Sequence, residues 1–409
     1  MKRTNRRRST SAPYEGPRRG ARAAHDVRLR RDLRRALRSG HPWVYRDALG
    51  PHDGRPGDPV RLLAQDGRFV AAGIADAGPI GARVWTRRDE PLDDAFLRRR
   101  IREAAALRRR VVPPATDAYR LLHGEGDGLG GVVVDRYGAV LVLALDGEGA
   151  LAWTDRLVDG LSREAGPVDG LLLRAGRRGE RRIEVLSGTV PDGVMEVEEH
   201  AMALAVDLRR GQKTGLFLDH RESRAKVRRL AEGMRVLNLY GYTGGFSVAA
   251  GLGGARSVDT VDVAAEALRL AERSWALNGL APGLHRTWRA DVPAFLAEAR
   301  DAGSTWDLIV ADPPSFAPRR DAVAKALESY GRLHRACLER LTPGGLYLAA
   351  SCSSHVDREA FEQTLRSGAS RARVVLQVLD RWGAPPDHPR ILTFREGDYL
   401  KVVLARVVP

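Results

Sequence analysis

The stretch RVLNLYGYTGGFSVAA, Arg235 to Ala250, decides the fold. Its first six residues form an apolar run that reads as a buried strand. A turn comes next with Gly241, Thr243, Gly244 and Gly245, and the chain then continues as a helix. Glycines at such a turn let the backbone come close to a ligand, and the amides that open a helix favour negative charge. One such turn is also a common way to join a strand to a helix, so its meaning rests on the neighbouring elements. Downstream the rhythm repeats. Strands read at 257–262 (SVDTVD), 307–312 (DLIVAD), 345–351 (GLYLAAS) and 374–380 (VVLQVLD). They alternate with helices at VAAEALRLAERSWALNG, PAFLAEARDAG, roughly Val323 to Leu341, and DREAFEQTLRSGA. Apolar strands alternating with amphipathic helices predict a parallel, doubly wound α/β sheet covered on both faces. Ligands in that architecture bind beyond the carboxyl ends of the strands.

Upstream the pattern differs. Short apolar runs between Gly, Pro and Asp turns (PVRLLAQDGRFVAAGIAD, IGARVWTRR) indicate a small β-rich domain reaching to about residue 92. Residues 93–110 read as an amphipathic helix with Phe96, Leu97, Ile101 and Leu107 on one side. Strands and a helix then make a middle α+β segment that ends near residue 193. The first 24 residues are poor in apolar side chains and are expected to be disordered.

The chain has 409 residues and a net charge of +15. Residues 1–40 hold fourteen Lys or Arg against Glu15, Asp26 and Asp32, a net +11 that leaves +4 for everything else. Such a segment suits a phosphate-rich partner, because neutralised phosphates release counterions; it also fits a solvated extension with no partner. The basic residues are almost all Arg, which favours bidentate phosphate contact, but a GC-rich genome produces the same bias. No run approaches the roughly 18 apolar residues of a membrane span, and no membrane partner is expected. The start lacks the apolar stretch of a secretory signal, so the cytoplasm is the expected location, although an Arg-rich start also fits an organelle transit peptide. Two cysteines, Cys337 and Cys352, make neither a disulfide framework nor a metal cluster, and no metal is expected. A second copy of the chain, in a homodimer, is a further candidate partner.

The strand ends carry the chemistry. The second strand closes on Asp262, nineteen residues beyond Thr243, where a carboxylate accepts hydrogen bonds from ribose hydroxyls. The alternative is an acidic helix cap. With the glycine turn, Asp262 points to an adenosine-containing cofactor. A dinucleotide dehydrogenase needs G-x-G-x-x-G, which this turn does not fit. Asp291, in WRADVPAF, stands where a side chain reaches an adenine amino group. Asp312 is followed by Pro313 and Pro314, which cannot continue a central strand and force a rigid loop, DPPSFAP, able to border a flat base.

In this order, NLYGYTGGF, VDTVD, ADPPSF and SCS resemble the class I S-adenosylmethionine-dependent RNA methyltransferases. GHPWVY (Gly40–Tyr45), GEGDGLGGVVVDRYG (Gly124–Gly138), GQKTGLFLDHRESR (Gly211–Arg224) and DHPRILTFREGDYLK (Asp387–Lys401) narrow the likeness to the 23S rRNA cytosine-5 methyltransferase family with an N-terminal PUA domain. The likeness covers roughly residues 27–409. It implies a Rossmann-like class I methyltransferase domain (194–409), preceded by a small β-rich PUA domain (27–92) that binds RNA and a middle α+β domain (93–193), with a basic tail at 1–26. It implies S-adenosyl-L-methionine as cofactor and large-subunit rRNA as partner. The cofactor residues would be Asn238, Tyr240, Thr243, Gly244, Gly245, Phe246, Asp262, Asp291 and Asp312. Two departures stand out: His220 where the family often has glutamine, and Ser315 where lysine or threonine is common.

Cys352 separates this family from a similar 23S rRNA guanine-N7 methyltransferase domain, which lacks the cysteine. C5 of cytosine is a poor nucleophile; a thiolate adding at C6 makes C5 reactive, and a base then removes the C5 proton. Cys352 is accordingly the expected nucleophile, at a strand end next but one to the proline loop. The competing reading is a cysteine that simply packs, as buried cysteines commonly do. Lys213 and Arg221 are expected to supply positive charge near the thiol and the substrate. Asp312 would orient the exocyclic amine of the base, Pro313 and Pro314 would border it and Phe316 would stack on it. Cys337 reads as core; His355 and His388 are candidate acid–base groups but read first as capping or surface residues. A non-catalytic RNA-binding assembly factor is the rival of another class.

Overall fold

The computed structural model describes residues 23–176, 182–317 and 319–408. It divides into two compact units: one covers the chain to Val112 together with Tyr119–Asp192, the other Pro113–Ala118 together with Gly193–Pro409. Residues 1–22, most of the basic tail, lie outside the described residues; the described chain enters a strand already at His25–Arg28.

The first unit holds two five-stranded sheets. One runs His25–Arg28, Pro59–Leu63, Phe69–Ala75, Ile80–Thr86, Trp43–Tyr45; the other runs Arg182–Gly188, Gly170–Ala175, Val140–Leu145, Val132–Tyr137, Ala118–His123. The sheets share core residues. Trp85, from the first sheet, is fully buried and packs on Phe96 and Trp153 with ring centroids 6.4 and 4.8 Å away. The helix Asp94–Val111 buries Phe96, Leu97, Ile101, Ala104, Ala105 and Arg108. Arg108, not Leu107, therefore completes the inward stripe, its guanidinium donating to both oxygens of Asp127 at 2.7 and 2.8 Å. Hydrophobic periodicity alone cannot reveal a buried ion pair.

The second unit is built on one seven-stranded sheet: β1 (Arg235–Leu239), β2 (Ser257–Asp262), β3 (His285–Arg289), β4 (Trp306–Ala311), β5 (Leu341–Ser351), β6 (Leu376–Trp382) and β7 (Lys401–Val407). Its order is β3-β2-β1-β4-β5-β7-β6. Strands β1 to β5 pair in parallel, and β7 is inserted antiparallel between β5 and β6. The expected wholly parallel sheet is corrected in that respect. β7, KVVLARV, has the β-branched run of a strand, but its place between two earlier strands is a long-range fact.

Helices α1 (Arg221–Leu230), α2 (Gly245–Leu252), α3 (Ala265–Leu277), α4 (Val292–Asp301), α5 (Val323–Leu338) and α6 (Arg358–Ala372) accompany this sheet. Alternate residues of each strand feed opposite cores, as the period of two requires. Leu237, Ile309, Tyr347 and Phe361 share one cluster, while Val236, Leu308, Val310, Leu348 and Trp275 share the other. Burial on both faces is why these strands read as continuous apolar runs. The fifth strand begins at Leu341, where the sequence pattern carried the preceding helix. Among the described residues no helix is long and apolar enough to cross a membrane.

One buried and one half-buried histidine give this unit an acid limit. Burial pulls His285 down to about 4 and His334 down to about 3. The unfolded chain, near about 6.5, then binds the proton more readily than the folded one, so stability is complete above that value and is lost as pH falls through the window below it. At about pH 5 the loss amounts to about 2 kcal/mol for fully buried His334 and less for half-buried His285. Urea midpoints compared at about pH 7 and about pH 5 should show it; equal midpoints would contradict it.

Candidate active site

The strand order reverses between β1 and β4, and the cavity lies beyond the carboxyl ends of the strands there, as open α/β sheets require. Its volume is about 690 Å³. β1 runs into Tyr240 and Tyr242, both at positive φ (56° and 46°), which turns the backbone sharply. Gly241 makes that turn possible: a Cβ there would stand 2.5 Å from Thr260 Cγ2. Tyr242 N donates to Asp262 Oδ2 at 2.9 Å, and Ala264 N to Oδ1 at 2.9 Å. One backbone donor on each oxygen fixes the carboxylate and leaves each oxygen lone-pair capacity for a ligand hydroxyl. Val263, 62% exposed, adds an apolar surface to the same wall. Asp291 lines the cavity and also caps α4, accepting from Ala294 N.

Of the residues expected at the site, Tyr240, Thr243, Gly245, Phe246, Asp262, Asp291, Asp312, Pro313, Pro314, Phe316, Lys213 and Cys352 all line this cavity. Asn238, Gly244 and Arg221 do not line it. Asn238 is buried behind the turn, its Nδ2 donating to Ser247 Oγ at 2.8 Å in a chain that continues through Thr260 to His285. Gly244 is the left-handed residue before α2, packed so close to α3 that a Cβ would lie 2.6 Å from Ala271 Cβ. Arg221 is fully buried and held by both oxygens of Asp387 at 2.9 Å, so it braces the fold and does not line the cavity. His388 is buried beside Asp387, not a surface residue. Cys337 is fully buried in the core.

Cys352 follows β5 directly, and the proline loop follows β4. These strands are immediate neighbours in register, Ala311 beside Ala349, not next but one. The two flanking serines clamp the turn: Tyr330 Oη lies 2.9 Å from Ser351 Oγ and 3.0 Å from Ser353 Oγ, with Ser315 Oγ 3.1 Å from the latter. Lys401 Nζ donates to the Ser353 carbonyl at 2.6 Å. Between these anchors Cys352 is left half-buried on the cavity wall. Burial, followed by Asp312, pushes its thiol up to about 11; Lys213 and Lys401 act against that rise.

Lys213, Asp219, His220 and Arg224 come to the same wall from the segment that enters α1. Asp219 accepts from Lys213 Nζ at 3.3 Å and from Tyr399 Oη at 2.8 Å. Burial opposes its ionisation, yet Lys213, His220, His388 and that hydroxyl together hold it well below the usual carboxylate range. His220 Nε2 lies 3.2 Å from Asp312 Oδ2, and its Nδ1 lies 3.1 Å from Ser223 Oγ, so the ring bridges the proline loop to α1. Sequence reasoning missed Asp219 and Lys401, although GLFLDH and DYLK contain them. A carboxylate or lysine inside an otherwise apolar stretch was the available signal.

Carboxylates fixed at successive strand ends, a glycine turn at a helix start, and apolar faces between them suit a molecule with a ribose, a flat base and positive charge. The fold and site define a Rossmann-like methyltransferase. The chain belongs to the S-adenosylmethionine-dependent methyltransferase family, whose model matches residues 156–404; a PUA-like domain model matches residues 27–87. It is 37% identical over 389 residues to a Deinococcus radiodurans protein named ribosomal RNA large subunit methyltransferase, covering 91% of this chain and 94% of that one. It is 36% identical to ribosomal RNA large subunit methyltransferase I of Shewanella denitrificans, covering 93% and 99%. A solved structure assigned as a methyltransferase and complexed with SAH is 25% identical, with a TM-score of 0.84 over 94% of this chain and all of that one. A Streptococcus mutans structure at 24% identity shares the fold, with a TM-score of 0.82 over 94% of this chain and all of that one.

Proposed function

We propose that this enzyme methylates large-subunit ribosomal RNA at C5 of a cytosine, with Cys352 as covalent nucleophile. The observation that carries the reading is the juxtaposition, on neighbouring strands, of Cys352 with the Asp312-Pro313-Pro314 loop at one cavity wall. The names of its relatives support the rRNA substrate. Asp262 and Asp291 hold the nucleoside part of the cofactor, which supplies the activated methyl group when bound. Cys352 Sγ adds to C6 of the cytosine, raising electron density at C5. Once C5 is methylated, a base takes its remaining proton and Sγ leaves, restoring the aromatic ring. Asp312 accepts from the exocyclic amine, and Phe316 offers a face for stacking. The target must be unpaired or flipped from its helix to reach the cavity. The PUA-like domain at 27–92 and the Arg-rich residues of 1–26 hold the RNA through backbone and shape. A cytoplasmic location accompanies this reading.

One observation favours a second reading, methylation of a guanine nitrogen: the thiol sits up at about 11, a poor starting point for a nucleophile. Labelled methyl transferred to rRNA, with subsequent digestion to nucleosides, decides between them. The label is expected in 5-methylcytidine; label in a methylguanosine would overturn the cytosine assignment.

A further inference from the structure

Lys401 opens β7 and stands opposite Ser351, the residue before Cys352, in the antiparallel β5–β7 pair. It is 1% exposed. Its Nζ donates to the carbonyls of Ser353 at 2.6 Å and Tyr399 at 2.8 Å, and among the described residues none of its hydrogen bonds reaches a carboxylate. A buried ammonium whose bonded acceptors are neutral is costly unless an anion nearby answers its charge. Asp398 and Asp357 answer part of that charge, and the thiol at the cavity wall is a further neighbour able to become an anion.

We infer that Lys401 is a positioning residue of the methyl transfer: it holds the Ser351–Ser353 turn and supplies the counter-charge against which Cys352 ionises. This rests on the reading of Cys352 as nucleophile. In the step, the S–H bond breaks, the proton passes to solvent, the electron pair stays on Sγ, and Lys401 keeps its three protons. Burial pulls Lys401 down to about 8, while a Cys352 thiolate and Asp398 draw it back up; Arg358 and Asp357 also face it. Around the thiol stand Asp312, Lys213, Asp219 and Lys401, with Tyr330 beside them. Lys213 pulls the same way as Lys401, but its side chain is 44% exposed and already answered by Asp219, so solvent screens it.

The test is the pH profile of Cys352 alkylation by iodoacetamide, tracked on the Cys352 peptide by mass spectrometry with buried Cys337 as the slow control. Below about pH 8, where Lys401 carries its charge, Lys401→Met should slow alkylation about tenfold, while Lys401→Arg stays within about threefold of the parent. Coincident profiles for the parent and a folded Lys401→Met protein would overturn the proposal. Should that variant not fold, ¹⁵N-lysine NMR serves instead, because the chain has only the lysines at 2, 213, 226, 325 and 401. Cys352→Ser should lower the Lys401 midpoint, and an unchanged midpoint would overturn the coupling. Both readouts are independent of turnover, so failure of the nucleophile assignment, seen as an active Cys352→Ala protein, is distinguishable from failure here.

Discussion

Cys352→Ala should reduce methyl transfer to RNA by at least about 10³-fold while leaving S-adenosylmethionine affinity within about twofold. The two effects separate because, in the proposed mechanism, the thiol acts on the base, whereas the strand ends at Asp262 and Asp291 would hold the cofactor. The fold should survive the change. Cys352 is half-buried, and the turn that carries it is held by Tyr330, Ser315 and Lys401 through Ser351 and Ser353, not through the thiol. A folded, cofactor-binding, inactive protein is therefore the expected outcome. Activity within a few-fold of the parent would remove the covalent route and leave the methyltransferase assignment standing.

Asp262→Ala should produce the opposite split. Its carboxylate receives Tyr242 N and Ala264 N and keeps lone-pair capacity facing the cavity. Hydrogen bonds to a charged group contribute about 1.5–3 kcal/mol each, so losing those to a ribose should weaken S-adenosylmethionine binding by about 10²-fold or more. The turn suffers too, because Tyr242 at positive φ loses its anchor. Asp262→Asn keeps the shape and should recover part of the affinity. Calorimetric titration with S-adenosylhomocysteine reads both variants; affinity for Asp262→Ala within twofold of the parent would place the ribose elsewhere.

Much of the site was legible because the architecture converts sequence into position. In an open α/β sheet every strand delivers its carboxyl end to the same rim, so Asp262, Asp312 and Cys352 could be brought together from strand recognition alone. Gly241 was read as letting the backbone come close to a ligand; the structure gives it a different reason, a tight fit within the fold, with Thr260 Cγ2 2.5 Å from the place of its missing Cβ. What escaped depended on which way a side chain faces and on which partner it meets in the folded chain. Arg221 looked like a free cation, but its carboxylate, Asp387, lies 166 positions away. Asn238 looked like a cofactor ligand because it sits on the right strand; it faces inward, to Ser247. Lys401 drew no attention because its strand pairs across the chain end with β5, and the grip on Ser353 results from that pairing.

The central claim is a covalent bond between Cys352 and C6 of a cytosine, and a trapped adduct tests it most directly. RNA carrying 5-fluorocytidine, incubated with the enzyme and S-adenosylmethionine, accepts thiolate addition and methylation but has no C5 proton to lose, so Sγ cannot be eliminated. A denaturation-resistant protein–RNA complex that maps to the Cys352 peptide and is absent from Cys352→Ala is the predicted result. Turnover on unmodified RNA with no such complex on the fluorinated one would contradict it.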